Sequence, residues 1–205
     1  MILNLTETDA ALIVASYFIG SVPFGFLIAK LLRIGDLRKL GSGNIGATNV
    51  LRLGGKKLGV VTLLLDAGKG AIAVFLARKF ASDPKIMMDL SCFCGGAAVI
   101  GHIFPLWLKF KGGKGVATTF AVLLTLYWPL GLMAIFVWLA TFFFTKISSL
   151  SAILAMIATP TLALYFSDKI GYEVVYLSFF TGILVIVRHH SNIQRLVQGE
   201  ENRIV

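Results

Sequence analysis

Apolar runs near 20 residues recur along the chain, and the short segments between them hold almost all of its charged residues. No other feature constrains the fold as strongly. A hydrocarbon core about 30 Å thick needs about 20 apolar residues per α-helix, because every backbone polar group must be satisfied inside the segment. The chain is therefore expected to be an all-α, polytopic integral membrane protein, forming one domain over residues 1–205. Seven runs are predicted to span: Ala10 to Leu32, Leu58 to Phe80, Met88 to Phe104, Val116 to Tyr127, Pro129 to Thr145, Leu150 to Phe166 and Val174 to Val187. Trp128-Pro129 divides the longest stretch, since proline breaks a helix and thirty residues exceed one span. Strands alternating at period two are absent, so a β-barrel is not supported. The composition, 57% hydrophobic and 14% charged with mean hydropathy +0.86, exceeds what a soluble core of this size requires.

Seven crossings place the termini on opposite sides, and the basic residues set the direction. With the N-terminus outside and the C-terminus cytoplasmic, fourteen Lys and Arg fall on the cytoplasmic side and four outside, with Lys69 inside a span. That asymmetry is what the positive-inside rule predicts. The first run follows Glu7 and Asp9 without an early Lys or Arg, so a cleaved signal peptide is not expected. Cys92 and Cys94 read as small apolar residues, and Trp107, Trp128 and Tyr172 fit interfacial belts.

Four segments carry chemistry. Gly41 to Arg52 is a polar island with Ser42, Gly43, Asn44, Thr48, Asn49 and Arg52, the flexible backbone and donors that a phosphate monoester requires. If a helix begins near Thr48, then Thr48 and Arg52 share a face. Asp66 and Lys69 lie inside the second run, where charge is costly unless paired or facing a cavity. His102 leads to Lys111-Gly112-Gly113-Lys114 and Thr118, two lysines flanking a glycine hinge at a helix entry that favours anions. The nucleotide-binding Gly-x4-Gly-Lys-Ser/Thr pattern is absent. The last run exits through His189, His190, Asn192 and Arg195 to Gly199 and Glu201. Adjacent histidines face different ways on a helix and have no carboxylate partner in metal-ligand spacing, so no metal site is expected.

Together these motifs, with Ser21-Val-Pro-Phe-Gly25 and Asp66-Ala-Gly-Lys-Gly70, resemble the PlsY family of bacterial integral-membrane glycerol-3-phosphate acyltransferases over nearly the whole chain. Gly68 stands where that family more often has leucine. The resemblance implies acyl transfer from acyl phosphate to the 1-hydroxyl of sn-glycerol 3-phosphate, giving lysophosphatidic acid and phosphate at the cytoplasmic face of the bacterial inner membrane. The catalytic set is expected to be Ser42, Arg52, Lys111, His189 and Asn192. Gly43, Asn44, Thr48, Asn49, Asp66, Lys69, His102, Gly112, Gly113, Lys114, Thr118, Arg195 and Glu201 are expected around the substrates. Within that set, Lys114 with the Gly112-Gly113 backbone would form a second anion cradle, and Asp66 with Lys69 would keep the cavity open and neutral.

The expected partners are the two substrates and membrane lipids, without nucleic acid, metal or organic cofactor, acting as a monomer. His-x4-Asp, which supplies the base in many acyl-CoA-dependent enzymes, is absent, because Trp107, Gln194 and Arg195 stand five residues after the three histidines. Two routes remain open: the acyl phosphate's own oxygens accept the glycerol proton, or His189 does, oriented by Asn192. A phosphate transporter and a non-catalytic scaffold are the competing classes. Corresponding broken helices are not evident for the first, and the second would not need Asp66 and Lys69 in lipid.

Overall fold

The structure, a computed structural model, describes residues 5–204. Among these residues all regular structure is helical. The chain divides into two compact units, Met1–Val122 and Leu123–Val205.

In the first unit the run expected as one helix from Ala10 is two, α1 (Glu7–Ser21) and α2 (Phe24–Leu31). Pro23 lacks an N–H and its ring restricts Val22, so the break falls there. Thr6 and Asp9 form a reciprocal capping box at the start of α1. The Asp9 carboxylate also accepts from the N–H and hydroxyl of Ser82, at 3.2 and 2.5 Å. A loop then leads to α3 (Ala47–Gly54) and the long α4 (Lys56–Phe80). A 3-10 turn at Pro84–Ile86 opens α5 (Met87–Ile103), and a second at Leu106–Leu108 precedes α6 (Val116–Leu126), which runs across the division between the units.

The packing of α1 on α5 is set by two glycines. A Cβ on Gly20 would stand 2.1 Å from the Ala98 carbonyl oxygen, and one on Gly101 would stand 2.2 Å from that of Tyr17. Only glycine lets the two backbones approach this closely. The Tyr17 hydroxyl donates to the Phe104 carbonyl at 2.8 Å, and the Trp107 indole donates to Ser21 at 2.8 Å, which fixes the register. A separate core of Ala29, Leu37, Ile45, Val50 and Leu108 joins α2, the following loop, α3 and the second 3-10 turn. Gly68 has nothing within 4 Å of where a Cβ would stand, so the departure from leucine leaves no clash to relieve.

The second unit holds α7 (Trp128–Thr145), α8 (Ser148–Tyr165), the single turn α9 (Ser167–Ile170), α10 (Tyr172–Val187) and α11 (His190–Val197). The expected Trp128-Pro129 break is present as a single extended residue, Tyr127, with the proline inside the first turn of α7. In this unit α7 packs on α8, and α8 packs on α10.

Among the described residues, five segments are long and apolar enough to cross a bilayer core: Glu7–Leu31, Lys56–Phe80, Pro84–Leu108, Trp128–Thr145 and Ser148–Tyr165. Tyr172–Val187 with His190–Val197 makes a sixth if the pair, bent by 60°, counts as one span. The Val116 run yields a helix of 11 residues, about 16 Å at 1.5 Å per residue, roughly half the thickness of the hydrocarbon core.

Candidate active site

The polar island of the first unit is an ordered loop feeding α3. Asn49 is 1% exposed and holds it together. Its Nδ2 donates to the carbonyls of Leu37, Leu40 and Asn44 at 3.2, 3.0 and 2.8 Å, and its Oδ1 accepts from the Ser42 N–H at 2.9 Å. Asn49 thus shapes the loop that carries Ser42, Gly43 and Asn44. Thr48 and Arg52 are four residues apart on one helix, as predicted, and partly exposed beside the buried Asn49 and Val50. Upstream, the Arg38 guanidinium donates twice to Asp36, at 2.9 and 2.8 Å, and holds that carboxyl down at about 2.

Deeper in the unit, Asp66 and Lys69 form an ion pair at 3.0 Å, each 3% exposed. The Lys69 ammonium also donates to the Val22 carbonyl at 3.0 Å, at the break between α1 and α2. His102 Nδ1 lies 3.6 Å from the Asp66 carboxylate, and the Thr118 hydroxyl donates to the Asp66 carbonyl at 2.8 Å. One carboxylate therefore ties α4 to α5 while its backbone is pinned to α6, and its lysine partner caps a broken helix end. Pairing explains how these charges are tolerated in an apolar segment.

The backbone of the glycine hinge is engaged within the fold. The Gly112 N–H donates to the Ile103 carbonyl at 3.0 Å and the Gly113 N–H to the His102 carbonyl at 3.1 Å. Both donors cap the carbonyl end of α5. Proximity also requires glycine here, since a Cβ on Gly113 would stand 2.1 Å from His102 Nε2. Lys111 is exposed and Lys114 half-buried, with side chains that remain the cationic groups of this segment.

In the second unit α10 ends at Val187 and the chain bends through Arg188 and His189 into α11. His189 is 2% exposed and its Nδ1 is 2.7 Å from the Val185 carbonyl. A carbonyl only accepts, so Nδ1 carries a proton. Asn192, 3% exposed, donates Nδ2 to Glu201 at 2.6 Å. The same carboxylate accepts from Ser149 at 2.8 Å and from Arg195 Nε at 2.6 Å. Glu201 is thus the organising centre of this cluster, and Ser149 is a member that no motif marked. His190 is exposed.

The family model described as glycerol-3-phosphate acyltransferase matches residues 10–199, a stretch containing the polar loop, the buried ion pair, the glycine hinge and the His189–Asn192 segment. The chain belongs to the glycerol-3-phosphate acyltransferase family.

Proteins named glycerol-3-phosphate acyltransferase from Dinoroseobacter shibae and Caulobacter vibrioides are 53% and 49% identical to it. The first match covers 93% of this chain and 90% of the relative, and the second covers 94% and 86%. Two crystal structures of PlsY (YgiH), an integral membrane glycerol 3-phosphate acyltransferase, share the fold. The glycerol 3-phosphate form aligns with TM-score 0.89 at 38% identity, and the lysophosphatidic acid form with 0.86 at 37%, each covering 97% of this chain and 96% of the other.

In this family member the Glu201 cluster yields a pH prediction. Burial pushes the carboxyl up, but hydrogen bonds from Asn192, Ser149 and Arg195 more than offset it and hold the group below the ordinary glutamate range. A depressed folded value means that the clasp's stabilisation is complete above about pH 4.3, the unfolded value, and is lost as pH falls through the lower folded value. Glu201→Gln is expected to remove that acid-limb loss and to lower stability at neutral pH by about 1–3 kcal/mol. Thermal unfolding as a function of pH checks both, and a pH dependence identical to the parent's would refute the assignment.

Proposed function

We propose that this integral membrane protein transfers an acyl group from acyl phosphate to the 1-hydroxyl of sn-glycerol 3-phosphate, giving lysophosphatidic acid and phosphate. What carries the proposal is the whole-chain likeness to an acyltransferase whose crystal structures include glycerol 3-phosphate and lysophosphatidic acid forms. The residues that the reaction needs stand in this chain on ordered elements. The Arg52 fork, the Ser42 and Thr48 hydroxyls and the Lys111 ammonium supply donors for phosphate oxygens and for the oxyanion that develops at the acyl carbon. Lys114 contributes a second cation beside the glycine hinge. His189 and Asn192, with Arg195, orient glycerol 3-phosphate.

The glycerol oxygen attacks the acyl carbonyl carbon, the bond from that carbon to the bridging phosphate oxygen breaks, and the departing phosphate takes the hydroxyl proton. The substrate thereby serves as its own base. His189 favours this route because its Nδ1 faces a neutral backbone carbonyl instead of a carboxylate that would stabilise an imidazolium. The acyl chain lies among the spanning helices, where each buried methylene contributes about 0.8 kcal/mol.

Seven crossings, an outside N-terminus and a cytoplasmic active face in a bacterial inner membrane complete the proposal, supported by the segregation of fourteen basic residues against four. Single cysteines introduced at Arg52, Lys111 and Asn192 should all label from the cytoplasmic side. Purified protein in lipid, given acyl phosphate and glycerol 3-phosphate, should release phosphate and form lysophosphatidic acid, and no turnover with any acyl donor would sink the assignment. His189→Gln should slow turnover yet keep the acid limb of the pH profile, whereas loss of that limb would make His189 the base.

A further inference from the structure

We propose that Arg33 and Lys109 are headgroup contacts for anionic phospholipids, built into one end of the first unit. The observation is conformational. Among the described residues the non-glycine positions with positive φ are Arg33 at 55°, Lys109 at 52°, Phe110 at 62° and Lys146 at 59°. This left-handed region is unfavourable for L-residues and is the usual place of glycine just beyond a helix end.

The hydrogen bonds are those of such ends. Arg33 and Ile34 donate to the carbonyls of Lys30 and Ala29, at 3.3 and 2.9 Å, while Lys109 and Phe110 donate to those of Leu106 and Pro105, both at 3.0 Å. Yet three of the four positions carry a cation, each just past an apolar helix or turn. The backbone does not call for a long charged side chain there, so the charge itself is what the position provides.

The surroundings identify its partner. Glu7–Leu31, Lys56–Phe80 and Pro84–Leu108 are each long and apolar enough to span, and as three consecutive crossings they would alternate in direction and bring Leu31, Lys56 and Leu108 to the same bilayer face. Arg33 and Lys109 are exposed at that face, as are Lys30, Lys56 and Lys57. Trp107 and Phe110 stand out beside them, 59% and 54% exposed, in the manner of interfacial anchors. Asp36 is the one carboxylate in residues 30–57 and 105–115, and it is bound to Arg38. These two segments are thus cationic at headgroup depth, their single carboxylate already held by Arg38, which suits the phosphodiester of an anionic lipid in the adjoining leaflet.

The test uses the full chain in nanodiscs of phosphatidylcholine alone or mixed with phosphatidylglycerol, with retained lipid read by native mass spectrometry and stability by thermal unfolding. The parent should retain phosphatidylglycerol in preference to phosphatidylcholine, an effect lost in high salt but not displaced by millimolar inorganic phosphate. Arg33→Gly with Lys109→Gly should weaken that preference roughly 5- to 25-fold at low salt, with an unfolding temperature equal to or above the parent's, because glycine relaxes both positions. Arg33→Gln with Lys109→Gln should weaken it equally, and Lys85→Gln should leave it unchanged. An undiminished preference in either double variant, or a fall in unfolding temperature with glycine, would overturn the proposal.

Discussion

Asp66→Ala is expected to lower folding stability by about 3–5 kcal/mol, and Lys69→Ala by a similar amount, because either change strands the opposite charge in a low-dielectric interior. Both partners are 3% exposed and 3.0 Å apart, so neither can turn to solvent without opening the packing of α4. Lys69→Ala also withdraws the donor from the Val22 carbonyl. Replacing both charges at once, as Asp66→Leu with Lys69→Met, should recover most of the loss, since a buried pair exchanged for apolar residues is often close to neutral. Denaturant unfolding in detergent of the parent, both single variants and the double variant would measure the coupling. Losses below about 1 kcal/mol with no coupling would mean that the pair stands in a water-filled cavity, where exposed ion pairs contribute little. If the double variant folds but does not turn over, the charges serve the substrates as well as the fold.

Arg52→Ala should lower kcat/KM by about 10²- to 10³-fold, the usual consequence of losing a preorganised group that stabilises developing negative charge. Arg52 is partly exposed on α3, and the buried residues that seat this helix are Asn49 and Val50, so the variant should fold with an unfolding temperature near the parent's. Arg52→Lys should restore only part of the rate, because an ammonium keeps the charge and loses the planar two-pronged donor. Steady-state phosphate release over a range of glycerol 3-phosphate concentrations would show whether kcat or KM carries the loss. A tenfold effect or less would remove Arg52 from the reacting centre.

Much of this was legible in the sequence because the bilayer imposes a coarse and demanding rule. Runs of apolar residues announced the helices, and Pro129 announced the break beside it. Pro23 held the same information, but inside a continuous apolar run the length signal outweighed it. The short helices α3 and α11 escaped outright recognition because eight residues leave little periodicity to read. At the site, Asp66 with Lys69 was recognisable from spacing alone. The partners Val22 and Val185 were not, because they contribute backbone carbonyls that carry no residue-type signature. Ser149 lies 52 positions from Glu201, a separation across which a lone serine gives no clue. The close approach of Gly112 and Gly113 to His102 was hidden for a related reason, since composition does not distinguish a glycine needed for proximity from one needed for ligand binding.

The contact of Gly20 with Ala98 and of Gly101 with Tyr17 has a consequence for how such a sequence can drift. At each position the neighbouring atoms are main-chain atoms of the opposite helix. A bulkier residue at either site therefore has no suppressor, since no trimming of a facing side chain creates the missing room. Both positions are locked by main chain, and selections for second-site revertants of Gly20→Ala or Gly101→Ala should return only the original glycine.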